Sequence, residues 1–105
     1  MDKNIQRIYM PMSETAFYIL FALQKESHGY EISRLTSELT DGAVEISAGT
    51  MYGSLSKMER DGLIRLVREE NRRKLYLLTD LGEELLALEK ARIARQYSNS
   101  LEDIK

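Results

Sequence analysis

Between Ser47 and Ile64 the chain reads Ser-Ala-Gly-Thr-Met-Tyr-Gly-Ser-Leu-Ser-Lys-Met-Glu-Arg-Asp-Gly-Leu-Ile, and its apolar and small polar residues separate at helical spacing. Met51, Leu55 and Met58 fall on one narrow stripe of a helix with about 3.6 residues per turn. A step of about 100° per residue puts Gly49, Gly53, Ser56, Lys57 and Arg60 roughly opposite, with Thr50 and Tyr52 on the flanks. A glycine in a helix interior costs about 1 kcal/mol relative to alanine, so two on one side make sense where another backbone must come close. Such a helix docks on a core by one face and presents a bare surface on the other.

The segment after this helix narrows the choice of fold further. Once Asp61-Gly62 closes the helix, Leu63 to Arg68 and Lys74 to Leu78 are rich in strand formers and flank a polar turn, the pattern of a β-hairpin. Its tip, Asn71-Arg72-Arg73-Lys74, is strongly basic, and the turn is not of the Asn-Gly or Asp-Gly type, which leaves the tip geometry open. Upstream, Ser13 is a good N-cap for the segment Ala16 to Leu23, which is apolar almost all round and must be buried on most sides. That helix is expected to end near Lys25 to Ser27. His28-Gly29 supplies a turn, and a second helix from about Tyr30 carries Ile32, Leu35 and Leu39 inward. Asp41-Gly42 breaks the chain, and a short β-prone Val44-Glu45-Ile46 leads to Ser47 as the next N-cap.

The ends divide off. Residues 1–12 hold Ile5, Ile8, Tyr9 and Met10 before the only proline, Pro11, which interrupts any helix there; they read as an arm that packs on a neighbour. Residues 80–105 read as one terminal helix, with Asp80 and Glu83 at capping-box spacing and Leu81, Leu85, Leu88, Tyr97 and Leu101 roughly on one side. A long helix with one apolar stripe wants a partner. Residues 13–79 between them are helix-turn-helix plus hairpin, a winged helix-turn-helix, so the fold class is mostly α with a small β-hairpin (α+β).

Composition excludes several functions. A single domain of 105 residues buries only about two-thirds of its unfolded surface, so a second subunit is a natural source of stability. Without cysteine there are no disulfides, thiolate metal sites or cysteine nucleophile, and the usage suits a reducing cytoplasm. One histidine and no cysteine cannot build a conventional zinc site, and no other cofactor is expected. No apolar run reaches the roughly 18 residues of a membrane span, and the N-terminus lacks a signal-peptide core. The net charge of −2 at first argues against nucleic acid. From Lys57 to Lys74, however, seven basic residues face four acidic ones, a local +3 that leaves −5 for the rest. One region of such a chain meets an anion and the others do not.

The motifs His28-Gly29-Tyr30-Glu31-Ile32, Gly49-Thr50-Met51-Tyr52 with Leu55 and Glu59-x-x-Gly62-Leu63-Ile64, and Arg72-Arg73-Lys74-x-Tyr76-x-Leu78-Thr79-x-x-Gly82 occur in that order over roughly Ser13 to Leu88. In order and spacing they closely resemble the PadR family of bacterial transcriptional regulators, and the single short C-terminal helix resembles the smaller PadR subclass. The resemblance implies a dimeric repressor whose third helix enters the major groove of a double-stranded DNA operator and whose wing meets the flanking backbone or minor groove. By position, Ser47, Gly49, Thr50, Tyr52, Gly53 and Lys57 belong to the reading surface and Arg72, Arg73 and Lys74 to the wing. The homodimer interface is expected at Phe17, Leu20, Phe21, Leu85, Leu88, Tyr97 and Leu101, and the resemblance also allows a small-molecule effector there. Where many members have a glycine at the wing tip, this chain has Glu70-Asn71.

Blander readings stand beside these. Ser47 reads equally well as an N-cap alone, Met51 and Met58 as core, and His28 as a capping or packing residue rather than a catalyst. A triple-basic tip alone is often only a solvated turn, but beside the bare helix it reads as a phosphate contact. The alternative function is a protein-interaction adaptor that does not bind DNA. An enzyme fits worst, because no nucleophile and base pair, phosphate loop or metal cluster is visible.

Overall fold

The computed structural model describes residues 2–104. Among the described residues five helices and one hairpin succeed one another in the order α1 (Lys3–Tyr9), α2 (Glu14–Ala22), α3 (Gly29–Leu39), α4 (Ala48–Arg60), β1 (Ile64–Glu70), β2 (Arg73–Leu78) and α5 (Asp80–Ser100). The winged helix-turn-helix expected from the sequence is therefore present, with α3 and α4 as the helix pair and the antiparallel β1-β2 hairpin as the wing.

Each helix starts where the side chains supply a cap. Ser13 and Ser47 accept the backbone N–H of Ala16 and Thr50, and His28 caps α3 by accepting the Glu31 N–H at Nδ1. Helix α5 is capped by Thr79, not Asp80: the Thr79 hydroxyl accepts the Gly82 N–H and donates to the Gly62 carbonyl. Helix α4 ends in a Schellman motif, with Leu63 N–H on the Met58 carbonyl, Gly62 N–H on that of Glu59, and Gly62 at φ +78°.

Met51, Leu55 and Met58 are each no more than 2% exposed, so the stripe on α4 is the docking face. They meet Ile19, Leu20 and Leu23 of the α2 region, Ile32 of α3, Leu63 and Ile64, and Leu85 and Leu86 of α5 in one contiguous core. Full burial of a side chain of this size is worth about 1.5–3 kcal/mol.

Several expectations change. The first residues are not a free arm: Asp2 caps α1, and Ile5 and Tyr9 are buried in this chain's own core. Pro11 comes after that helix without preventing it. Helix α2 stops at Ala22, earlier than Lys25, because Leu23 bends inward to 0% exposure. On α3, Thr36 takes a buried place and returns its hydroxyl to the Ile32 carbonyl, while Leu39 is exposed. Val44 and Ile46 form no strand; they plug the core from an irregular loop. Leu20 and Leu85, expected at a subunit interface, are both 0% exposed within the single chain and can touch no partner without opening the core.

The wing is clamped at its base. Ser27 and Tyr76 exchange two backbone hydrogen bonds, and Leu78 N–H bonds the Leu23 carbonyl, so the segment before α3 runs as a short third edge on the hairpin. Gly82 lets α5 pack directly on the backbone just before β1, since a Cβ there would stand 2.1 Å from the Leu63 carbonyl oxygen.

Candidate nucleic-acid interface

Helix α4 and the wing border one exposed surface. Ser47, Gly49, Thr50, Tyr52, Gly53 and Lys57 are all exposed, as are Arg72, Arg73 and Lys74 at the far end of the hairpin. A Cβ built on Gly49 or Gly53 would meet nothing within 4 Å among the described residues beyond its chain neighbours and the helix's own backbone. Packing within this chain therefore gives no reason for either glycine, whereas at Gly29 and Gly82 it does: a Cβ at Gly29 would stand 3.0 Å from Met51 Cγ. Gly53, in the helix interior, still lowers helix stability by about 1 kcal/mol, and Gly49, in the first turn, by less.

The polar groups on α4 are not equally available. Ser47 is engaged as the cap and also donates to Thr50 Oγ1 at 3.1 Å, so both hydroxyls have partners. Lys57 differs from expectation: its ammonium lies 2.9 Å from Asp61 Oδ2, 3.4 Å from the Tyr9 hydroxyl and 4.5 Å from the Tyr9 ring centroid. The Tyr9 hydroxyl in turn donates to Asp61 at 2.7 Å. Those bonds, from Tyr9 first and Lys57 next, hold the Asp61 carboxyl below its ordinary range. The Tyr9 hydroxyl is pushed up, by burial first and then by Asp61. Lys57 is thus a cation paired within its own helix and tied to α1.

At the wing, the pairing Glu70↔Arg73 leaves only Asn71 and Arg72 as the loop, both with positive φ (+52° and +65°). Positive φ at both central residues is the signature of a type I′ hairpin turn, which matches the twist of the strands. Asparagine tolerates this region; arginine does so at a cost. A bulge at Val67, where Leu66 pairs with Tyr76 and Arg68 with Leu75, breaks the alternation. Arg68 then forms ion pairs with Glu26 and Glu70. Two of the seven local cations, Lys57 and Arg68, are accordingly engaged in ion pairs within the molecule, and three of the other five, Arg72, Arg73 and Lys74, stand together at the tip.

Between wing and α4 lies a cleft of about 330 Å³, walled by Tyr52 and Ser56 on one side and Arg72, Arg73 and Lys74 on the other. Tyr30 completes it, a residue for which the motifs alone suggested no contact. It is 64% exposed, with the Arg73 guanidinium 5.3 Å from its ring centroid. An exposed aromatic just inside a helix N-terminus was the available signal. Among the described residues no group of three or more His, Cys, Asp or Glu could hold a metal, and no helix is long and apolar enough to cross a membrane.

A second surface lies at the other end. From Lys90 onward every described residue except Arg92 is exposed, including Ile93, Tyr97 and Leu101. With Met12, Phe17 and Tyr18 the last two turns of α5 border a groove of about 500 Å³. Phe17 and Phe21 are partly buried, while Leu88, Tyr97 and Leu101 are open. Buried Glu89 ties α5 to the start of α2, accepting the Met12 N–H and pairing with Arg92.

The model of the transcriptional regulator PadR-like family matches residues 19–88. "Transcriptional regulator YqjI" of Escherichia coli is 34% identical over 74 residues, which are 70% of this chain and 36% of that protein. The chain spans between 19% and 63% of the length of the first curated relatives it matches. A PadR-like transcriptional regulator from Bacillus cereus superposes with a TM-score of 0.67 at 26% identity, covering 86% of this chain and 93% of the other. Bacillus subtilis PadR, solved in complex with operator DNA, superposes with a TM-score of 0.61 at 29% identity over 73% of this chain and 46% of its own. The family match spans both halves of the α3–α4 pair, the wing and the start of α5, and on it the chain belongs to the PadR-like family of transcriptional regulators.

Proposed function

We propose that the protein is a homodimeric, DNA-binding repressor that lays α4 in the major groove of a two-fold symmetric operator and rests its basic wing on the flanking backbone or minor groove. The observation that carries this reading is the open face of α4: Gly49 and Gly53 weaken the helix where nothing described beyond the helix's own backbone and their chain neighbours would touch an added Cβ. A rigid neighbour outside the protomer accounts for them, and the wall of a groove is one. The three cations at the wing tip add affinity by releasing counterions, and the local charge favours DNA although the whole chain is at −2. A family relative solved in complex with operator DNA supports DNA as the partner.

Dimerisation rests on the distal half of α5 with Phe17 and Phe21 of α2, through Leu88, Tyr97 and Leu101, with Ile93 added and with Leu20 and Leu85 beneath as core support. A projecting helix of that kind has little stability alone. Two recognition helices in such a dimer stand about 34 Å apart, one DNA turn. The groove beside Tyr18 and Tyr97 is large enough to admit a small-molecule effector, which would act by changing that separation.

Selection of genomic fragments on the purified protein, followed by a shift assay with the recovered duplex, tests the reading. A palindromic consensus whose complex resists random competitor is the expected result. Failure to bind any duplex more tightly than random DNA at about 0.1 M salt rejects it and leaves the protein-interaction adaptor.

A further inference from the structure

His28 makes an arrangement that its capping role leaves unresolved. Its Nδ1 accepts the Glu31 N–H at 3.2 Å, so the hydrogen of the neutral ring sits on Nε2. The Arg73 guanidinium, which has donors only, places NH1 3.4 Å from that same Nε2. Two donors thus face each other across a short gap. Neither can satisfy the other, and an acceptor bridging them satisfies both.

The surroundings say what kind of acceptor fits. The Ser27–Tyr76 backbone bridge fixes the start of α3 against β2, so the gap is held by the fold and not by one mobile arginine. Arg73 is further steadied over the Tyr30 ring, with the ring of His28 stacked beside that of Tyr30 at 6.5 Å. The gap opens into the cleft that Arg72 and Lys74 line on one side and Tyr52 of α4 on the other, continuous with the bare face of the helix. Of the carboxylates close by, Glu31 is held by Arg34, Glu70, opposite Arg73 on the hairpin, is held by Arg68, and Glu69 lines the cleft against three cations.

We propose that His28 Nε2–H and the Arg73 guanidinium together grip one phosphodiester of duplex DNA, a backbone contact at the seam of α3 and wing that sets how α4 sits in its groove. The site rests on the DNA-binding reading above. The phosphate is a single one per half-site and is met without regard to sequence, since both donors address a backbone oxygen.

The test pairs protein variants with neutral methylphosphonate linkages walked one at a time along a selected duplex. His28→Asn keeps a capping acceptor for Glu31 N–H while removing the ring donor, and circular dichroism checks that the variant folds. In the wild type one position per half-site should stand out when neutralised. His28→Asn should bind the native duplex about 5- to 10-fold more weakly, and the penalty for neutralising that one position should shrink by a similar factor. Arg73→Gln, on the exposed tip, should show the same coupling and serves if the first variant misfolds. Native-like affinity of both variants, or an undiminished penalty at every position, overturns the site and leaves DNA binding standing. Absence of duplex binding by the wild type removes both.

Discussion

Arg72 is the residue at which fold and proposed function pull in opposite directions, and Arg72→Gly separates them. Its φ of +65° places an L side chain in the left-handed region, at a cost of about 1–2 kcal/mol. Glycine relieves that cost but gives the unfolded chain more freedom, worth about 0.4–1 kcal/mol. The balance is a gain of roughly 0.5–1 kcal/mol, or a rise in Tm of about 2–4 °C. The same substitution removes one phosphate contact per protomer. Each contact contributes about 0.9 to the slope of log K against log salt, so at about 0.1 M salt, relative to 1 M, losing the two contacts of a dimer lowers affinity roughly 60-fold. Arg72→Ala is the control: it loses the same contact but keeps a Cβ at positive φ, so its affinity should fall equally while its stability stays within about 0.5 kcal/mol of wild type. Urea denaturation gives the first quantity, and fluorescence anisotropy with a labelled duplex over a salt series gives the second. A glycine variant no more stable than the alanine variant refutes the strain argument. An unchanged salt slope refutes the phosphate contact.

Other expectations arise from the same surfaces. Gly53→Ala should stabilise the fold by about 1 kcal/mol, since its Cβ enters open space, and weaken operator binding. Gly82→Ala should instead destabilise by about 1–3 kcal/mol or more, because its Cβ meets the Leu63 carbonyl; equal signs in thermal melts of the two would refute the division of glycines. Because Asp61 is held below its ordinary range, the stability it supplies is complete above the unfolded value of about pH 4 and is lost as pH falls through the lower folded value. Asp61→Asn should therefore flatten the acid limb of the urea midpoint plotted between about pH 2 and 6, and an unaltered limb would count against the Tyr9–Asp61–Lys57 clamp. Tyr97→Glu should shift sedimentation toward monomer without lowering helix content. A variant that sediments like wild type would move the interface elsewhere.

Much of this protein lies in short-range pattern. The stripe Met51–Leu55–Met58, the caps Ser13 and Ser47 and the break at Gly62 act within a helical turn or two, where spacing alone determines which side is buried. The linked motifs from His28 to Gly82 also identify the family without coordinates. Long-range geometry decided the rest. Ile5 and Tyr9 could be read as an arm or as core, and only contact with Asp61, distant in sequence, chose. Leu20 and Leu85 have the same hydrophobicity as Leu88 and Leu101, yet burial depends on which helices cross above them. The two kinds of glycine are identical as letters and differ only in what stands over them. Likewise a lone histidine gives no hint of a donor opposed to it, because that donor arrives on a hairpin clamped from the far side of the chain. Sequence determines local faces through periodicity; tertiary structure decides partners, because partners are chosen by packing in three dimensions.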